Sequence, residues 1–181
     1  MNEQALPLSA QLAVNDFELF GVPVQFAQDR AQLDARWKDL QREAHPDKFA
    51  SQGTAAQRVA MQWSVRINEA YQRLKDPMRR AAYLCELGGW PIQAENNTAM
   101  PAAFLMQQME WREAMDEASD AAALEDLFDD VQQAHKVALQ QCAQLIDTAH
   151  DLPAAAQQVR GLMFIEKFLR DIEARIEARI D

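Results

Sequence analysis

The chain has 181 residues, a hydrophobic fraction of 49% and a formal net charge of −10, which is apolar content enough for one large core or two small ones. Its charge is unevenly placed: residues 1–88 carry 11 Lys/Arg against 11 Asp/Glu, whereas residues 89–181 carry 7 against 17. A strongly acidic half excludes a phosphate backbone as its partner, and the lack of a long apolar run excludes a membrane span.

With only 5 Gly and a composition rich in Ala, Leu, Gln, Glu and Arg, the chain favours helix throughout. An all-α fold is therefore expected. Residues 1–15 show no period and read as a tail. "DFELFGVP" (16–23) reads as one or two helical turns, stopped by Gly21 and Pro23. Asp29 caps the next helix, with Gln32 as the reciprocal partner of a capping box. Leu33, Trp37, Leu40 and Ala44 then form one apolar stripe. Pro46 ends this helix, because the residue before a proline is pushed out of helical geometry. A second long helix is expected from Thr54, boxed with Gln57, and its stripe is Ala56, Val59, Ala60, Trp63, Ile67, Ala70, Tyr71 and Leu74. Asp76-Pro77 opens a short helix to about Leu87.

"GGWPIQAENNTAMP" (88–101) concentrates Gly, Pro and Asn and reads as the linker between two domains, 16–87 and 102–181. Three helical runs follow, at about 102–118, 120–149 and 153–180, and short connections make them an antiparallel bundle. Ile172, Ile176 and Ile180 share a stripe in the last, and Gly161 is expected to permit close helix approach.

The two stripes of the first domain must face each other, so "HPDKFASQG" (45–53) is the tip of a helix hairpin. His45 near Asp47 could form a base with its orienter, but no nucleophile motif or Gly-rich phosphate loop accompanies them. Two residues are also too few for a metal site. A helix stop explains Pro46 without requiring His45. Here the sequence resembles a known family of modules. "HPDK" between two amphipathic helices, with "INEAYQRLKDPMRRAAY" (67–83) downstream, is similar to the J-domain, which stimulates ATP hydrolysis by DnaK-type chaperones. Ala44 departs from the aromatic residue that usually precedes the His. The resemblance implies a chaperone-binding surface of Lys38, Arg42, His45, Pro46, Asp47 and Lys48.

No Gly/Phe-rich segment or Cys-rich module follows. Instead "FLMQQMEWREAMDE" (104–117), in an acidic three-helix bundle, resembles the HscB family of iron–sulfur cluster assembly. That resemblance implies a non-enzymatic co-chaperone with two partners, the DnaK-type chaperone HscA and the cluster scaffold IscU. Helical spacing supports a client surface independently. Phe104, Trp111 and Met115 complete a core stripe, which leaves Leu105, Met106 and Met109 on another arc beside Glu110, Glu113 and Glu117. In the last helix, Leu162, Ile165, Leu169, Ile172 and Ile176 form the core stripe and Phe164 falls off it. An exposed apolar patch rimmed by carboxylates is a form typical of partner sites. In the family these seven surplus positions, Leu105, Met106, Met109, Glu110, Glu113, Glu117 and Phe164, bind the scaffold.

Alternatives are a J-protein with an unrelated client, and a metal-binding bundle. For the latter, "DTAH" (147–150) offers only one of the paired motifs a di-iron site needs. No cofactor is expected. Cys85 and Cys142 read as core thiols, and His135 and His150 as surface or satisfied side chains. Two unpaired cysteines and the absence of a basic, apolar leader point to the cytoplasm.

Overall fold

The computed structural model describes residues 13–180. Every regular element among them is a helix, and the chain divides into two compact units, up to Arg80 and from Ala81 onward.

The first unit holds α1 (Asp16–Phe20), α2 (Arg30–Glu43), a 3-10 helix (Pro46–Gln52) and α3 (Thr54–Lys75). Of the expected tail, residues 1–12 lie outside the described residues, while Asn15 caps α1. Its side chain accepts from the Glu18 N–H at 2.9 Å, and the Glu18 carboxylate accepts from the Asn15 N–H at 3.4 Å. Gly21, at φ 64°, then ends the turn in the left-handed conformation that glycine adopts without strain. Asp16 is fully buried and is met by two α3 arginines, Arg66 at 2.6 Å and Arg73 at 2.6 Å. A carboxylate so placed is tolerable only when paired, so this cluster orients α1 on α3. Around it Phe17, Phe20, Leu33, Leu40, Ala44, Trp63, Ile67, Ala70 and Leu74 form the core.

Asp29 caps α2 as expected, accepting from the N–H groups of Ala31 and Gln32. The expected box at Thr54 does not form. The cap of α3 is Gly53, at φ 93°, and Thr54 is already helical, so no side chain satisfies the first turn. Val59, expected in the core stripe, is exposed, and burial is confined to Ala60, Trp63, Ile67, Ala70, Tyr71 and Leu74.

The helix α4 (Pro77–Leu87) contains the boundary between the units. Asp76 caps it, accepting from the Arg79 N–H at 2.9 Å. Residues 88–101 pack with the second unit for an identifiable reason. Arg160 is buried, its Nε donates to the Ile92 carbonyl and its Nη1 to that of Ala99, each at 3.0 Å, and Ile92 is itself buried.

The bundle consists of α5 (Ala102–Glu117), α6 (Ala121–Ala143) and α7 (Leu152–Ile180). Asp120 caps α6 through the Ala123 N–H, and Asp151 accepts from the Ala154 N–H at the start of α7. Contacts between Gln141 and Gln158 and between His135 and Glu166 run in opposite senses along α6 and α7, so these helices are antiparallel. Ring contacts from Phe104 to Phe164 and from Trp111 to Phe168 advance together, so α5 and α7 are parallel neighbours. The helix expected to residue 149 does extend that far, but its last turn widens from α to π geometry. A π-type turn spans Gln144–Thr148, and His150 follows at φ 54°.

Two expectations in α7 are corrected. The buried stripe runs through Leu162, Ile165, Phe168 and Ile172, with Leu169 only half-buried. Either residue fits a 3.6 period, and stacking of Trp111 on Phe168 at 6.1 Å decides between them. The Ile180 side chain lies outside the described residues. Gly161 is not required by close approach, because a Cβ there would meet the Phe104 ring at 3.5 Å, an ordinary contact. Gly161→Ala is therefore expected to stabilise the fold by about 0.5–1 kcal/mol, the helix-interior penalty of glycine. The check is a rise in melting temperature; a fall would mean the ring cannot accept the methyl group.

Candidate functional site

Residues 44–48 form the tip of the α2–α3 hairpin. Ala44 closes α2, with its N–H on the Leu40 carbonyl at 3.0 Å. His45 is extended (φ −62°, ψ 126°), as a residue before proline must be. Pro46 then opens the 3-10 helix at a position where a missing N–H costs nothing. His45 serves as its own cap: its Nδ1 accepts from the Asp47 N–H at 3.3 Å and lies 3.6 Å from Asp47 Oδ2. The Lys48 N–H donates to the His45 carbonyl at 3.0 Å. Yet the imidazole is 60% exposed and the Asp47 carboxylate 91% exposed. A tight turn thus holds both groups outward, open to solvent. Pro46 is half-buried and Lys48 exposed.

Lys38 and Arg42 lie one turn apart on the open face of α2, both exposed. Arg42 pairs with Asp39 at 3.1 Å, an ion pair open to water. Among the described residues Lys38 makes no ion pair within 4 Å, although its charge acts on the Asp34 carboxylate one turn before it. Toward the start of α2, Tyr71 donates to Asp34 at 2.7 Å and Arg30 bonds the same carboxylate at 2.7 Å. The hydrogen bond from Tyr71, then that from Arg30, holds the Asp34 carboxyl below its usual range.

In the second unit, α5 has the two apolar faces its periodicity suggests. Trp111 is buried, with Phe104 and Met115 half-buried beside it. Leu105, Met106 and Met109 are 47%, 67% and 72% exposed. At 100° per residue, Leu105 and Met109 fall on one exposed edge, and Met106 lies farther round beside Glu110, Glu113 and Glu117. All three carboxylates are exposed, and Gln107 donates to Glu110 at 3.0 Å.

Phe164 differs from the other six positions. It is half-buried, edge-on to Phe104 at 5.8 Å and stacked on Phe168 at 5.8 Å. The Arg112 guanidinium lies over its ring at 5.5 Å. Arg112 shares the exposed edge of Leu105 and Met109, so Phe164 borders that edge and also belongs to the α5–α7 seam. A groove of about 310 Å³ continues from it, between Arg112, Asp116, Lys167 and Asp171. The sequence reading missed Arg112 and Phe168. Phe168 was detectable, since it follows Phe164 by one turn. Arg112 was not, because its position over an aromatic ring depends on another helix.

The remaining chemically active groups are engaged in packing. Burial pushes the Cys85 thiol up to about 11 and that of Cys142 to about 12. His135 meets Glu166 at 3.2 Å, and His150 Nδ1 meets the Ile146 carbonyl at 3.1 Å. No group of three or more His, Cys, Asp or Glu able to hold a metal ion occurs among the described residues. Among them, no helix is long and apolar enough to cross a membrane.

Known proteins share this arrangement. Residues 100–173 match the family described as the HSCB C-terminal oligomerisation domain. The chain is 49% identical over 164 residues to a co-chaperone protein HscB homologue of Burkholderia multivorans, covering 89% of this chain and 93% of that one. It is 48% identical over 165 residues to the homologue of Bordetella avium, covering 90% and 98%. Among solved structures, the chaperone HscB of Vibrio cholerae superposes with a TM-score of 0.77 at 37% identity, over 93% of this chain and all of that one. The human co-chaperone protein HscB gives a TM-score of 0.83 at 25% identity, over 90% and 82%. With a J-domain hairpin ahead of the helical bundle, and near half-identity sustained along nine-tenths of its length, the chain belongs to the HscB family of co-chaperones.

Proposed function

We propose that this co-chaperone binds the iron–sulfur scaffold IscU on its bundle, delivers it to the DnaK-type chaperone HscA, and stimulates the ATPase of that chaperone through the hairpin tip. The observation that carries this reading is the outward turn at His45–Asp47, which exposes an imidazole and a carboxylate whose one local contact, the His45 cap, leaves most of both groups open to water. Lys38, Arg42 and Lys48 supply positive charge around it for an acidic docking face. In the bundle, Leu105, Met106 and Met109 give the apolar centre of a client surface, and Glu110, Glu113 and Glu117 its rim. Methionine suits such a surface because it repacks readily. Phe164 contributes its open edge. The two unpaired cysteines and the nature of these partners suit the cytoplasm.

The test is steady-state ATP hydrolysis by HscA, titrated with this protein in the presence and absence of IscU. Stimulation by the protein alone, and further stimulation with IscU, is the expected result. Stimulation that IscU leaves unchanged would point to a different client. Reversing the docking charge with Lys38→Glu and Arg42→Glu should raise the half-saturating concentration about tenfold, or ~1.4 kcal/mol, and added salt should weaken the wild type in the same direction. Scaffold binding, measured by calorimetry, should be unaffected. Loss of both activities together would indicate misfolding.

A further inference from the structure

The α2–α3 seam is apolar along its centre, yet three polar rungs cross it at one edge. Tyr71 donates to Asp34 at 2.7 Å. Trp37 Nε1 and Gln41 Nε2 both donate to Asn68 Oδ1, at 2.9 and 2.7 Å. Ser64 Oγ donates to the Ala44 carbonyl at 3.3 Å. On α3 the rungs recur at 64, 68 and 71, steps of four and three that line one edge of a helix. On α2 their partners descend from 44 through 41 and 37 to 34, so the rungs match an antiparallel pair.

Apolar contact is non-directional and tolerates small slips. Hydrogen bonds do not, because they weaken steeply with distance and angle. A slip of one residue moves a helix by about 1.5 Å along its axis, which would break all three rungs. The last rung has a special place. The final carbonyls of a helix lack intrahelical donors, and Ala44 is the residue immediately before His45. Its carbonyl belongs to the peptide plane from which His45 departs. Ser64 therefore fixes the orientation of that plane, and Asn68, one turn further along, fixes the end of α2 that carries it.

We propose that Ser64 and Asn68 are positioning residues for the His45–Asp47 tip, holding the end of α2 in the single register that presents the imidazole to the chaperone. This rests on the reading that the tip stimulates a DnaK-type ATPase. The two side chains act through the Ala44 carbonyl and through Trp37 and Gln41. Docking charge on α2 is a separate contribution, so the two should separate in a titration.

The experiment is a full titration of HscA ATPase with Ser64→Ala/Asn68→Ala in the complete chain, alongside His45→Gln and Ile67→Val. Maximal stimulation should fall about fivefold, the factor carried by one net hydrogen bond, while the half-saturating concentration shifts by less than about twofold. Ser64→Thr, which keeps the hydroxyl, should retain wild-type stimulation. Ile67→Val lies in the apolar core of the same helix and lowers the melting temperature without touching a rung. It should keep full maximal stimulation, which a merely structural role of Ser64 and Asn68 would not predict. Unchanged maximal stimulation in the double variant, or an equal loss in Ile67→Val, would overturn the proposal. If His45→Gln collapses stimulation and the double variant does not, only the positioning role fails. If His45→Gln has no effect, the reading of the tip fails with it.

Discussion

His45→Gln, and separately Asp47→Asn, should abolish stimulation of the chaperone ATPase while leaving the helical fold intact. Both side chains face water, so their replacement removes little packing. Surface substitutions of this kind usually change stability by no more than about 0.5 kcal/mol. Gln and Asn also retain acceptor atoms, so the local turn can persist. What they lose is the imidazole and the negative charge that the turn presents. A few central groups carry most of an interface, and the loss should reach tenfold or more in stimulation, or about 1.4 kcal/mol at the least. Circular dichroism and thermal melting establish that the fold survives. Full stimulation by a folded variant would remove the tip from the mechanism.

A comparable loss is expected at the other surface. Leu105→Ala with Met109→Ala should melt nearly as the wild type and bind scaffold about 30-fold more weakly, since hot-spot truncations cost about 2 kcal/mol or more. The expectation follows from exposure: neither side chain is held in the core, so truncation leaves no cavity. Phe164→Ala should behave differently. Its ring packs against Phe104 and Phe168 beneath Arg112, so both binding and stability should fall, the latter by about 2 kcal/mol for a half-buried aromatic. Calorimetric titration and thermal melts on the same samples separate the two. A large drop in melting temperature for Leu105→Ala/Met109→Ala would return these residues to packing and require another client surface.

Local chemistry was legible in the sequence; distant partnership was not. The α2 stripe, the Asp29 and Asp76 caps and the proline stop all depend on neighbours within four residues. The surplus apolar face of α5 was visible for a related reason, since its second arc follows from helical spacing within α5 alone. Misreadings occurred where an outcome depends on residues far along the chain. Nothing near Asp16 announces that Arg66 and Arg73 will meet it in the core. Phe168 and Leu169 are equally good stripe residues until Trp111 selects one. At Thr54 the pattern permitted a box, but the chain entered the helix one residue earlier, through a glycine. Phe164 read as a surplus side chain because the ring that receives it lies on α5.

Arg160 has a consequence for how this protein can be taken apart. A protease, or a recombination event, acting at the compositional boundary near residue 101 would remove the main-chain carbonyls of Ile92 and Ala99. Two hydrogen bonds from Arg160 would be lost with them, and the buried side chain of Ile92 would leave the core. The transferable piece is therefore longer than the three helices that read as a bundle. It includes the segment 88–101, which packs on the bundle through Arg160 and Ile92. Selection on the bundle alone would preserve the segment 88–101 as an internal strap, although its composition presents it as expendable tether.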